Sequence, residues 1–175
     1  MSGVANDIKS YEYDANPGLD AYGVAANAQL YVGAVALVSG GSGSITQGYL
    51  KNAATAFASD IVAGVISEPS GGTYVQTGPG ILGGSADGNV WVLVKTGTFL
   101  IQSGTGADTL SMATVGKTIY YGGENAVGPI ACATGAGTRP IIGVQLPQDP
   151  GWANGFAPGS TYFPIKMSQI GGPYT

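Results

Sequence analysis

Short apolar runs punctuated by glycine recur along this chain, and two of them match in order. Ile61-Val62-Ala63-Gly64-Val65-Ile66 has its counterpart in Pro140-Ile141-Ile142-Gly143-Val144-Gln145. Runs this short, rich in β-branched residues and bounded by turn residues, read as strands. Leu30 to Val38 predicts a long apolar strand closing on the turn Ser39-Gly40-Gly41-Ser42-Gly43-Ser44, with Gln47 to Lys51 returning as its hairpin partner. Ala53 to Ala58 predicts one helical turn, Ile61 to Ser67 the next strand, and Pro69-Ser70-Gly71-Gly72 a loop. Val90 to Lys95 and Thr98 to Gln102 flank Thr96-Gly97 and read as two short strands or one bulged strand.

The second half repeats the pattern with shorter loops. Thr118 to Tyr121 is expected to end at Gly122-Gly123-Glu124-Asn125, Gly128 to Cys132 follows, and Thr134-Gly135-Ala136-Gly137 leads into Arg139 to Leu146. A loop from Pro147 to Gly159 precedes a last strand, Thr161 to Lys166, and Lys95 and Lys166 stand at matching strand ends. The pattern predicts an all-β fold, a small Gly-rich barrel or sandwich of two related halves with an extended N-terminal arm. The arm is residues 1–22, the β domain 23–166 with halves at about 28–102 and 115–166, and the tail 167–175. Removing residues 2–20 is expected to leave a folded domain.

Composition sharpens the picture. Only 9% of the 175 residues are charged, where soluble domains average about 25%. Such a chain is expected to be covered by neighbouring chains in an oligomer or lattice. The net charge of −4 and six scattered basic residues disfavour nucleic acid, which needs clustered Lys and Arg. The opening Met1-Ser2-Gly3-Val4-Ala5-Asn6-Asp7 lacks a basic start and apolar core, so no Sec export is expected. No apolar run approaches the ~18 residues of a membrane helix, and the long strand alternation of an outer-membrane barrel is missing. The lone Cys132 allows no internal disulfide and fits folding in a reducing cytoplasm.

Catalytic chemistry is scarce. The absence of histidine removes Ser/His/Asp and Cys/His nucleophile pairs and most zinc sites. Val115-Gly116-Lys117-Thr118 echoes a phosphate loop, but Ser111 stands where glycine is required, so a turn entering a strand is expected. Gly41-Ser42-Gly43 and Gly104-Thr105-Gly106 read as turns. Asp60 and Glu68, about 26 Å apart on an extended segment, read as solvated strand ends rather than a glycosidase pair. Glu12-x-Asp14 is too small a donor set for calcium. Cys132 and Trp91 are expected in the core. No cofactor, metal or catalytic residue is expected. The candidate interface residues are aromatics and a proline of the arm, the Pro-rich loop and the tail: Tyr11, Tyr13, Pro17, Tyr22, Trp152, Phe156 and Tyr174.

From residue 28 to about 166 the chain resembles the capsid decoration (cement) proteins of tailed bacteriophages. The resemblance rests on Leu30 to Gly43, Asp60 to Val65, Gly88 to Gly97, Val115 to Tyr121 and Arg139 to Val144. It implies a non-enzymatic all-β knob on the outside of a virion, commonly a homo-oligomer, with a trimer favoured by analogy. It further implies that the knob ties major capsid protein subunits together, often through an N-terminal arm. The alternative is a phage head or tail fibre component binding host-surface glycans through Trp152 and loop tyrosines.

Overall fold

The computed structural model describes residues 11–12, 18–41, 45–72, 80–125, 128–147 and 161–167. Among these residues twelve strands run in chain order: β1 Tyr11–Glu12, β2 Gly18–Gly23, β3 Gln29–Leu30, β4 Val35–Val38, β5 Leu50–Lys51 and β6 Ile61–Gly72, then β7 Ile81–Leu82, β8 Val90–Ser103, β9 Thr118–Asn125, β10 Gly128–Cys132, β11 Ile141–Gln145 and β12 Tyr162–Met167. Helical structure among the described residues is limited to three-residue 3-10 turns, including Ala53–Thr55. The fold is all-β, as the pattern predicts.

Two rings of five strands share one long strand. In the second ring β8 pairs with β12, β12 with β11, β11 with β9 and β9 with β10, all antiparallel, and a parallel pairing of β10 with β8 closes it. The first ring has the same order. There β2 pairs with β8, β8 with β6, β6 with β4 and β4 with β5, all antiparallel. A single parallel bridge between Val24 and Leu50 closes it. Residues 90–96 of β8 serve the first ring and 97–103 the second, so β8 is the last strand of one half and the first of the other. Closure removes the exposed edges that an open sheet would present.

The register makes the duplication specific. Val65 lies opposite Lys95, and Val144 opposite Lys166. The residue before each valine, Gly64 or Gly143, has φ +153 or +157 and passes directly beneath the lysine carbonyl. These are the two runs matched in the sequence. Their shared glycine is where a backbone from the neighbouring strand approaches too closely for any side chain.

Packing explains why some strands read as unbroken apolar runs. Leu30, Ala34, Ala36, Ala63, Ile66, Val90, Val92 and Val94 fill the first ring. Val35, Leu37, Val62 and Val65 lie in a second cluster with Phe99, Ile101, Ile119, Ile142 and Ile165. Thus β4 and residues 62–66 of β6 are buried on both sides, and the two rings are joined by a common core as well as a common strand.

The structure departs from the sequence reading in several places. The run Leu30 to Val38 is not one strand: a turn around Gly33, at φ +83, separates β3 from β4. β9 continues through Gly122-Gly123, because Gly122 lies under the Cys132 sulfur, 2.3 Å from where a Cβ would stand. Residues 18–22, read as part of the arm, form β2, an integral strand of the first ring, and Met167, read as tail, belongs to β12. The halves meet inside β8 at Thr96-Gly97, rather than in the loop after residue 102.

Candidate interaction face and buried polar centres

Strict alternation along the first half of β8 sorts its side chains. Val90, Val92 and Val94 are fully buried, while Trp91 is 43% exposed and shares the outer face with Leu93 and Lys95. On the neighbouring β2, Leu19 lies opposite Lys95, Ala21 opposite Leu93 and Gly23 opposite Trp91. Leu19 is 55% exposed. On the other side, β6 brings Gly71 opposite Trp91. The indole therefore rises between two glycines. A Cβ on Gly23 would stand 3.1 Å from the Tyr49 ring, so Tyr49 covers Gly23 beside Trp91. The result is an outward apolar strip of Leu19, Ala21, Trp91 and Leu93 on a rigid sheet.

Trp91, expected in the core, is thus a surface residue. The signal was the phase of the alternation, since Lys95 shares its parity and marks that face as solvent-facing. Tyr22 corrects in the opposite direction: it has the parity of Val24 and packs, partly buried, against the first-ring core. Tyr11 pairs through its backbone with Leu100 of β8. Tyr13, Pro17, Trp152, Phe156 and Tyr174 lie outside the described residues. The two that are described, Tyr11 and Tyr22, pair with different halves of β8.

Asp60, read as a solvated strand end, is buried. Its Oδ2 lies 2.7 Å from Lys51 Nζ, and both side chains are fully inaccessible. Gly40 N donates to Oδ1 at 3.0 Å and Phe57 N to Oδ2 at 2.7 Å. Glu68 is exposed, so the two carboxylates share no site.

The equivalent corner of the second ring is chemically different. Leu37 faces both Val62 and Lys51, and Tyr120 faces both Ile141 and Cys132, so Lys51 and Cys132 are counterparts. Asp60 and Arg139 stand at the same offset before Gly64 and Gly143. Arg139 Nη1 donates to Asp108 Oδ2 at 2.8 Å, and the Thr134 hydroxyl donates to the other carboxylate oxygen. That hydroxyl first, and the guanidinium beside it, hold Asp108 below the usual carboxylate range. Burial pushes the Cys132 thiol up to about 11, which suits a packed side chain rather than a nucleophile.

A third polar centre joins the rings. Glu124 of β9 accepts from Val35 N of β4 at 2.7 Å, in a cleft also lined by Gln29, Tyr31 and Asn52. Burial raises its carboxyl to about 7, against the opposing effect of the Val35 amide. The adjacent Tyr121 hydroxyl is also buried, and burial followed by the Glu124 charge raises it strongly.

None of these centres assembles a nucleophile, a base and a site for a reacting atom. Among the described residues no group of three or more His, Cys, Asp or Glu could hold a metal ion. Lys117 sits exposed in the turn before β9, and no helix follows it. No described helix is long and apolar enough to cross a membrane. No family profile, curated protein or solved structure matches this chain.

Proposed function

We propose that the chain is a non-enzymatic structural protein of a tailed-phage particle, binding the outside of an assembled capsid and stabilising it by bridging major capsid subunits. The observation that carries this reading is the outward strip around Trp91 and Leu19, mounted on a charge-poor double ring. Interface anchors are commonly aromatic, seated on rigid elements, and poor in neighbouring charge. A contact of ordinary size, about 800 Å² per partner, can be individually modest when several are linked on one lattice. The resemblance to capsid decoration proteins supports the same reading, and homo-oligomerisation, with a trimer favoured by that analogy, belongs to it.

The test is electron microscopy and heating of particles with and without the protein. Missing knobs and earlier rupture in its absence support the proposal. Normal capsids that fail to adsorb to cells would replace it with the fibre reading. That second reading draws on the same indole: an exposed ring between two glycines is a flat platform on which a pyranose could stack. Glycan arrays with the wild type and Trp91→Ala separate the two.

A further inference from the structure

Lys51 and Asp60 make an unusual pair. A buried ammonium needs partners for three N–H groups, and a buried ion pair is favourable only when those needs are met. Here Nζ has the Asp60 carboxylate at 2.7 Å on one side and the Phe57 ring, 4.4 Å to its centroid, on another. Close as it is, Nζ meets no acceptor in hydrogen-bond geometry. The amine therefore faces the carboxyl group at contact distance without the alignment of a hydrogen-bonded salt bridge. The carboxyl group, by contrast, is well held, with a backbone N–H on each oxygen.

We infer that Lys51 and Asp60 become joined by an intramolecular isopeptide bond after the chain folds. In the first step one proton passes from Nζ to the carboxylate across the 2.7 Å contact, leaving an amine and a carboxylic acid. The nitrogen lone pair attacks Cγ, and the N–H groups of Gly40 and Phe57 stabilise the charge developing on the carboxyl oxygens. The Cγ–O bond then breaks, one water leaves with that oxygen and two protons, and an amide remains. No oxidant, reductant or cofactor is involved. Fixed proximity in a folded core supplies the effective concentration that the reaction needs. The product removes both buried charges.

Position gives the bond a purpose. Lys51 lies in the two-residue β5, where one bridge closes the first ring, and Asp60 immediately precedes β6. The second ring closes with two paired positions between β8 and β10, and its counterparts Cys132 and Arg139 have no amide to form. A covalent link would thus staple the ring with the weaker closure. This inference does not depend on the capsid reading.

The test is intact-mass spectrometry of the full chain, purified under reducing conditions and then aged in the folded state. The expected result is a mass lower than the sequence mass by one water. Trypsin should fail to cut after Lys51, and fragment ions should be absent within residues 51–60. Lys51→Arg should show the full mass. Asp60→Asn should form the same amide by losing ammonia and finish at the mass of the wild-type product. Full mass persisting after prolonged incubation of folded wild type overturns the inference, as does a water loss that survives in Lys51→Arg.

Discussion

The backbone carbonyl of Lys95 lies 2.2 Å from the point where a Cβ on Gly64 would stand, and Gly143 bears the same relation to Lys166 at the same distance. Neither glycine can acquire a side chain without opening its strand pair, because the obstacle is backbone and φ is near +155 at both. Gly64→Ala and Gly143→Ala are each expected to destabilise by roughly 2 kcal/mol or more. Denaturant titration of the two variants checks this, and similar losses would show that the repeats are mechanically equivalent.

The outward strip separates binding from folding. Trp91→Ser is expected to change stability by no more than about 1 kcal/mol, since the indole is partly exposed and flanked by glycines. If it is the anchor, binding to capsids lacking the protein should weaken about 30-fold, the scale of an interface hot spot. Co-sedimentation with such capsids, alongside thermal denaturation, measures both effects.

Glu124 makes stability depend on pH in a window where few other groups act, because the chain contains no histidine. Its folded pKa, about 7, lies above the ordinary 4.5, so the folded state holds the proton more tightly than the unfolded state. Its contribution is fully present below about 4.5 and is lost as pH rises through 7, a loss of up to about 3 kcal/mol. Asp108 and Asp87 act oppositely: their carboxyls are held low, Asp87 chiefly by Thr46, so their stabilisation is lost only as pH falls into the carboxylate range. Denaturation between pH 5 and pH 8 should show stability decreasing, and Glu124→Gln should flatten that slope and raise stability at the alkaline end.

Truncation distinguishes arm from barrel. Removing residues 2–10 leaves every strand pairing of the described chain, so the protein should fold as before. Removing residues 2–20 deletes β1 and also Gly18, Leu19 and Asp20, half of β2, and strips their pairings from β8. Contrary to the expectation from sequence alone, the longer truncation should lose cooperative unfolding or express poorly. Circular dichroism melts of both chains check the difference.

Much of the architecture is legible in the sequence alone, because strands and turns are local matters. Apolar runs between glycines marked most strands, and the likeness of Ile61–Ile66 to Pro140–Gln145 located two positions that the fold makes equivalent. The glycine in each run carries that information, since backbone crossing at van der Waals limits excludes every other residue. The lack of histidine and the scarcity of charge likewise belong to composition and need no fold.

Tertiary structure alone decided the rest, for reasons that involve partners distant in sequence. Whether Leu30 to Val38 forms one strand or two depends on Gly33 N meeting the Ile66 carbonyl at 2.8 Å, a contact invisible to local pattern. Tyr22 and Trp91 exchanged their expected roles because facing is set by which side of β2 and β8 the first ring closes on. The burial of Asp60 required Lys51 to arrive from another strand, just as the raised carboxyl of Glu124 required β4 to cover it. Local sequence determined which segments extend and where they turn; ring closure determined which faces are inside, and with them every electrostatic property of the buried groups.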